Sequence, residues 1–202
     1  MKKSISVLIL LALAATSAFA QFGSVGGGLL FDGNYGNEAK YEGITLLSID
    51  KTSFGAFAFF DATYVEVDLS FTYGLAEMKV LGGLGSTDLN LQSLGISVLG
   101  KYPIELGAIT FFPLIGINYN LVLSAESNGT SYRDAEDLSQ LGLLAGVGFD
   151  YPLNEQLFIR AQALFALRLP SKLMEDAVKG VSGVDAGLGF GPRIKVGVGY
   201  HL

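Results

Sequence analysis

The chain has 202 residues, half of them hydrophobic and only 16% charged, with a mean hydropathy of +0.45. That is too apolar for a disordered chain. No Cys is present, which excludes a disulfide scaffold, a thiolate metal site, a thiol nucleophile and a lipidated N-terminal Cys. The single His excludes a multi-histidine metal centre, and a formal charge of -6 argues against a nucleic-acid partner. No cofactor motif stands out either. Gly82-Gly83-x-Gly85 lacks the following Lys-Ser/Thr that a phosphate cradle requires.

Residues 1–20 read as a Sec-type signal peptide. Lys2 and Lys3 form the positive start, Ile5 to Ala15 an apolar core, and Ala18-Phe19-Ala20 a small-x-small cleavage site. Cleavage there leaves residues 21–202 as one domain, and takes away two of the 13 basic residues but none of the 19 acidic ones. No later apolar run is long enough for a transmembrane helix.

The remainder shows period-two alternation. From Thr63 to Tyr73 one phase is Val65, Val67, Leu69, Phe71, Tyr73; the other is Glu66, Asp68, Ser70, Thr72. A strand separates these two sets onto opposite faces, whereas a helix would mix them. Residues 157–169 repeat the pattern, with Arg160, Gln162 and Arg168 on the polar phase. The C-terminal stretch does so again: Ile194, Val196, Val198, Tyr200 and Leu202 lie opposite Arg193, Lys195 and His201.

Taken in chain order, strands are expected at 23–32, 53–61, 63–74, 88–100, 107–123, 139–150, 156–169 and 187–202. Several exceed the usual 5–6 residues and match the roughly 9–11 that a tilted membrane-crossing strand needs. Short turns (61–62, 101–106, 151–155) alternate with longer loops (33–52, 75–87, 124–138, 170–186). The expected fold is all-β: an eight-stranded antiparallel up-and-down transmembrane β-barrel, with short periplasmic turns and long extracellular loops. Pro113 and Pro192 fall in or beside strands, where a bulge is expected at each. Tyr64, Tyr102, Tyr151 and Tyr200 suit a periplasmic aromatic rim, and Phe54 and Tyr73 an outer one.

With its signal peptide, its eight alternating strands and its terminal strand ending Val198, Tyr200, Leu202, the chain resembles the small eight-stranded outer-membrane barrels, the superfamily of the OmpA membrane domain, OmpX and OmpW. The segments Phe59 to Val67 and Gly100 to Pro103 resemble the periplasmic turns of that group. The resemblance implies outer-membrane lipid as surroundings and the barrel-assembly machinery as a partner during biogenesis. That machinery reads the last strand, which here closes on Leu202 where the family pattern has an aromatic.

The candidate site is a lumen charge network of Glu66, Asp68, Arg160, Arg168, Arg193 and Lys195. In an eight-strand ring the acids of strand 63–74 stand nearly opposite the cations of the last two strands. Isolated buried charges are costly, so they should pair across the lumen. His201 invites a Ser-His-acid reading, but it sits at the rim with no obvious Ser-acid pair beside it, so no catalytic residue is assigned. Asp134, Glu136 and Asp137 read as a solvated loop surface open to an unnamed external ligand.

The expected function is that of a structural or surface-interaction barrel acting through its loops. The alternatives are a narrow pore or small-solute channel, and a soluble periplasmic lipocalin-like barrel that is apolar inside and polar outside.

Overall fold

The structure is a computed structural model; it describes residues 23–42, 44–80, 84–127, 129–132, 134–178 and 184–202. The expected signal peptide, most of the Gly82-Gly83 motif and Arg133 lie outside these residues. The elements in chain order are β1 (Ser24–Tyr41), β2 (Ile44–Ala62), β3 (Val65–Val80), β4 (Gly85–Lys101), β5 (Ile104–Leu106), β6 (Ile109–Ser127) and β7 (Thr130–Ser131). There follow a 3-10 turn (Ala135–Leu138), β8 (Gln140–Pro152), β9 (Leu157–Arg168), α1 (Lys172–Val178), β10 (Val184–Ala186) and β11 (Gly189–His201).

Eight of these strands close a ring in the order β1-β2-β3-β4-β6-β8-β9-β11, and β11 returns to β1. All the pairings are antiparallel, as sequential hairpins require. The seam is well registered. Ser24 aligns with Asp61 on one side and with His201 on the other. The short strands are accessories: β5 and β7 pair with β6, and β10 pairs with β1.

The wall is taller than the sequence reading. Segments 33–52 and 75–87, expected as long loops, are instead mostly strand: β1 and β2 meet across residues 42–43, and β3 continues to Val80. Five neighbouring strands, β1, β2, β3, β4 and β6, run 16–19 residues, while β8, β9 and β11 run 12–13. The 3-10 turn and α1 lie at the end of the low side, where Ala135 and Met174 join one buried cluster.

β3 shows why the tall strands were underestimated. From Val65 to Leu75 the outward phase is apolar and the inward phase is Glu66, Asp68, Ser70, Thr72, Gly74. Beyond Leu75 the phase is unbroken but its polarity reverses: Glu77 is exposed and joins Lys79 at 3.0 Å, while Ala76 is buried. β4 does the same, with Asp88 and Asn90 exposed beside buried Leu89 and Leu91, whereas register shifts interrupt the phase on β1, β2 and β6. At this end a dry cluster fills the interior, including Ala39, Ile49, Leu89, Leu91, Val122, Ala135 and Met174. α1 closes over it. Ser171 Oγ accepts from the Met174 N–H at 3.4 Å in an N-cap, which points fully buried Met174 into the cluster.

Within the belt the outer face carries Leu29, Phe54, Leu69, Phe71, Ile115, Ile117, Leu143, Phe165 and Val196, all exposed. Apolar outside and charged inside is the inverse of a lipocalin-like barrel, and overturns that alternative. Tyr64, Tyr102, Tyr151 and Tyr200 are exposed near the end where Ser24 and His201 meet, and Phe54 pairs with Tyr73 about halfway along β2 and β3, at the belt's other edge.

Neither proline makes a bulge. Register runs unbroken through Pro113 on β8, and its carbonyl points to Tyr102 N. A strand residue aims N and C=O the same way, so the missing N–H faces a side where the β4 ladder has already ended at Lys101. Register also holds through Pro192. The ladder to β1 merely skips two residues there, and Gly33 O accepts from Arg168 Nη1 at 2.8 Å instead. The observed irregularities lie between Asn34 and Asn37, between Ala39 and Lys40, and at Gln92/Ser93.

Met174→Asp places a carboxylate in the dry cluster without a partner. The expected outcome is faster proteolytic cleavage within 169–188, while the ring keeps its compact, heat-modifiable gel mobility.

Candidate functional site

The side chains that point into the ring form a layered ionic core. Its centre is Arg160 on β9. The guanidinium donates to Asp150 at 2.7 and 2.6 Å, to Asp61 Oδ2 at 2.6 Å and to Glu66 Oε2 at 2.8 Å. Lys101 Nζ also donates to Asp61 Oδ2. Glu66 takes further bonds from Gln162 Nε2 at 2.8 Å and Lys195 Nζ at 3.0 Å. Lys195 reaches Asp68 at 2.8 Å, and Arg193 approaches the same carboxylate at 3.8 Å. Glu66, Asp68 and Lys195 are essentially inaccessible.

Aromatic rings enclose this core. The Arg160 guanidinium carbon lies 4.4 Å from the centre of Phe59, 5.0 Å from Phe158 and 5.3 Å from Phe112. Lys195 Nζ lies 5.0 Å over Phe57. Such faces attract a cation through their quadrupole, more strongly when water is excluded. The rings find room because glycines stand beside them. A Cβ at Gly26 would meet Phe59 at 2.5 Å, one at Gly148 would meet Phe112 at 2.3 Å, and one at Gly199 would meet Phe158 at 2.1 Å.

The structure therefore brings Glu66, Asp68, Arg160, Arg193 and Lys195 together. Arg168 stands apart from the β3 acids. It binds Asp32 of β1 at 2.5 Å, at the last residue of the strand expected over 23–32. Asp61, Lys101 and Asp150 were assigned to turns or left unremarked. Their signal was phase: Asp61 shares the inward phase of Phe57 and Phe59, which aromatic residues disguised as an outer face.

At the end that carries the termini, a cleft of about 400 Å³ opens over this core, lined by Asp61, Glu105, Asp150, Phe158, Arg160 and His201 among others. His201 does have a serine and an acid near it, against the sequence reading. Ring closure aligns Ser24 with His201 and with Asp61. The order around the ring is Asp61, Ser24, His201, however. A proton relay needs the imidazole between hydroxyl and acid. Asp61 is held by Arg160 and Lys101, and the imidazole lies against Phe158 at 4.6 Å between ring centres.

At the opposite end Asp137, in the 3-10 turn, accepts from Lys172 of α1 at 2.8 Å. That hydrogen bond raises the ammonium above the ordinary lysine value. It ties the two long connections together.

No family model matches the chain, and no curated protein matches it. Among solved structures the fold is similar to Neisserial surface protein A (NspA), at 15% identity over 89% of this chain and 97% of that one, with a TM-score of 0.45. It is also similar to Ail, the attachment invasion locus protein of Yersinia pestis, at 14% identity over 90% and 99%, with a TM-score of 0.45. The solution structure of the E. coli outer membrane protein W is similar at 13% identity over 90% and 97%, with a TM-score of 0.48.

Removing one member of a buried ion pair typically costs about 3–5 kcal/mol, because its partners stay buried and unneutralised. Arg160→Met should lower unfolding stability in urea by about that much, since it strands Asp61, Glu66 and Asp150. Lys79→Met, which breaks an exposed pair, should leave the midpoint unchanged.

Proposed function

We propose that the chain is an integral outer-membrane barrel, sealed by its own side chains, that acts through the surface at its loop end and carries out no catalysis. One observation carries this reading: an apolar outer belt surrounds an interior of paired charges. The belt on β3, Val65 to Leu75, has the length a tilted strand needs to cross a bilayer. In lipid a spanning sheet must leave no open edge, and the β1–β11 seam leaves none.

In this reading residues 1–20 direct export and are removed. The tight turns and both termini face the periplasm, and the barrel-assembly machinery acts on β11. The collar beyond Leu75 and Thr52, with its charged outer face and dry interior, stands outside the membrane. The connections 128–139 and 169–188, joined by Asp137 and Lys172, offer the recognition surface. Its acids Asp134, Glu136 and Asp137, with Glu126 at the adjoining end of β6, favour a basic partner over an acidic one.

A sealed lumen distinguishes this function from a pore. An eight-stranded interior is only wide enough for side chains to fill it, and here the layer of Asp61, Glu66, Arg160 and Lys195 crosses it.

The test is reconstitution of the folded chain in planar bilayers beside fractionation of expressing cells. Recovery in the outer membrane, a boiling-dependent gel shift and no steady single-channel current are expected. A steady current would replace this function by a channel, and recovery as a soluble protein would overturn it. Leu69→Arg on the belt should cost about 2–4 kcal/mol in unfolding from lipid vesicles if it lies near the bilayer midplane. Lys79→Leu on the collar should show no comparable loss.

A further inference from the structure

The ionic core is unevenly balanced along the barrel. Near the terminal end, Lys101, Arg160 and Lys195 meet Asp61, Glu66, Asp68 and Asp150. In the middle, Lys51, Arg168 and Arg193 surround one carboxylate of their own, Asp32, which Arg168 already binds at 2.5 Å. Asp68 binds Lys195 through Oδ2, while its buried Oδ1 accepts no hydrogen bond and faces Arg193 Nη2 at 3.8 Å.

Lys51 is buried, and its ammonium donates to Ser93 Oγ at 3.2 Å. Among the described residues no carboxylate is within ion-pairing distance of it. Arg193 donates Nη2 to Ser70 Oγ at 3.1 Å, while its buried Nε has no partner. Ser53 Oγ, also buried and without a partner, lies on the inner face of β2 two residues from Lys51 and directly across from Asp32. These are unused donors, and donors without acceptors in a dry interior are costly.

The donors converge. Ser70 aligns with Gly95, and Thr72 with Ser93, so Ser70 and Ser93 are diagonal neighbours about 7–8 Å apart. Each holds the head of one cation. Between them stands Gly95, whose missing Cβ would lie 3.7 Å from Arg193 Nη2 and 2.4 Å from Ser70 Oγ. A wall of Ser70, Thr72, Ser93, Gly95 and Ser97 thus faces two cations, and Asn118 Nδ2, which donates to Ser97 Oγ, lies 3.6 Å from the Gly95 Cβ position.

The geometry points to a small monovalent anion, of chloride size, bound in the mid-lumen between Lys51 and Arg193, with Ser53, Ser70 and Ser93 as hydroxyl donors. Asp32 and Asp68 are the acids that face it, and they limit it to one negative charge. The site depends on the ring and its register, and not on which membrane or surface partner the barrel serves.

The test uses the full chain folded in detergent micelles. The thermal midpoint is measured in sodium chloride and in sodium gluconate at equal ionic strength. Saturable binding to the folded state should raise the midpoint by roughly 3–6 °C for each tenfold rise in chloride above its dissociation constant. Lys51→Arg should keep that dependence and Lys51→Met should abolish it. Equal midpoints in the two salts would overturn the site, as would a Lys51→Met variant that keeps the chloride dependence. Saturable stabilisation by sulfate or phosphate that Lys51→Met abolishes would overturn the monovalent assignment, since the general effect of these salts does not depend on Lys51. Crystals of the unsubstituted chain grown in bromide give a readout that no variant's folding can confound. An anomalous peak beside Lys51 Nζ and Arg193 supports the site, and a lumen without one refutes it.

Discussion

The rest of the structure depends on the interior of an eight-stranded ring being too narrow for bulk water. Among the described residues the inward charges, Lys51 apart, meet a counter-charge on another strand. Glu66 of β3 meets Arg160 and Lys195 from 94 and 129 residues away. Those pairs form only once β9 and β11 have come round to face β3. Each therefore couples ring closure to charge neutralisation, and a half-closed sheet would leave the same carboxylates without their cations. The rings of Phe59, Phe112 and Phe158 strengthen that coupling by keeping solvent from the guanidinium, and the glycines beside them give the rings their place.

A second constraint is that one strand serves two surroundings. β3 keeps a single in-out phase from end to end, yet its outward residues change from Leu69 and Phe71 to Glu77 and Lys79, and its inward ones from Asp68 and Ser70 to Ala76. The pleat sets which side chains share a face; the medium outside sets which face must be apolar. Inside the belt the ordering energy comes from ion pairs and hydrogen bonds. In the collar it comes from a dry cluster closed by Met174 and Ala135. The uneven wall follows. Five tall strands carry their own collar, while β8, β9 and β11 stop short and leave α1 and the 3-10 turn to cover the gap.

This division matters for function. In the function proposed above, the sealed middle serves as a rigid anchor and the two long connections carry the recognition surface. Asp137 and Lys172 join those connections into one surface. In the terminal-end cleft Asp61 and Asp150 are engaged with cations, Glu105 with the Thr110 hydroxyl and His201 with an aromatic ring.

Much was legible in the residues alone. Alternation over 63–74, 156–169 and 187–202 identified strands and placed Glu66, Asp68, Arg160, Arg193 and Lys195 on inward faces, because a period of two depends only on the pleat. The same rule, read with apolar always outward, ended β3 at Tyr73 or Gly74 and lost most of 33–52. It also hid Asp61 behind Phe57 and Phe59, whose rings are inward. What only the tertiary structure decided is who meets whom: Arg168 with Asp32 rather than with β3, Ser24 beside His201 and Asp61, Lys51 left beside a serine, and two prolines accommodated without a bulge. Backbone ladders pair any residue with any other, so the sequence determines the face a side chain points to. Its neighbour across the lumen is set by the register and closure of the whole ring.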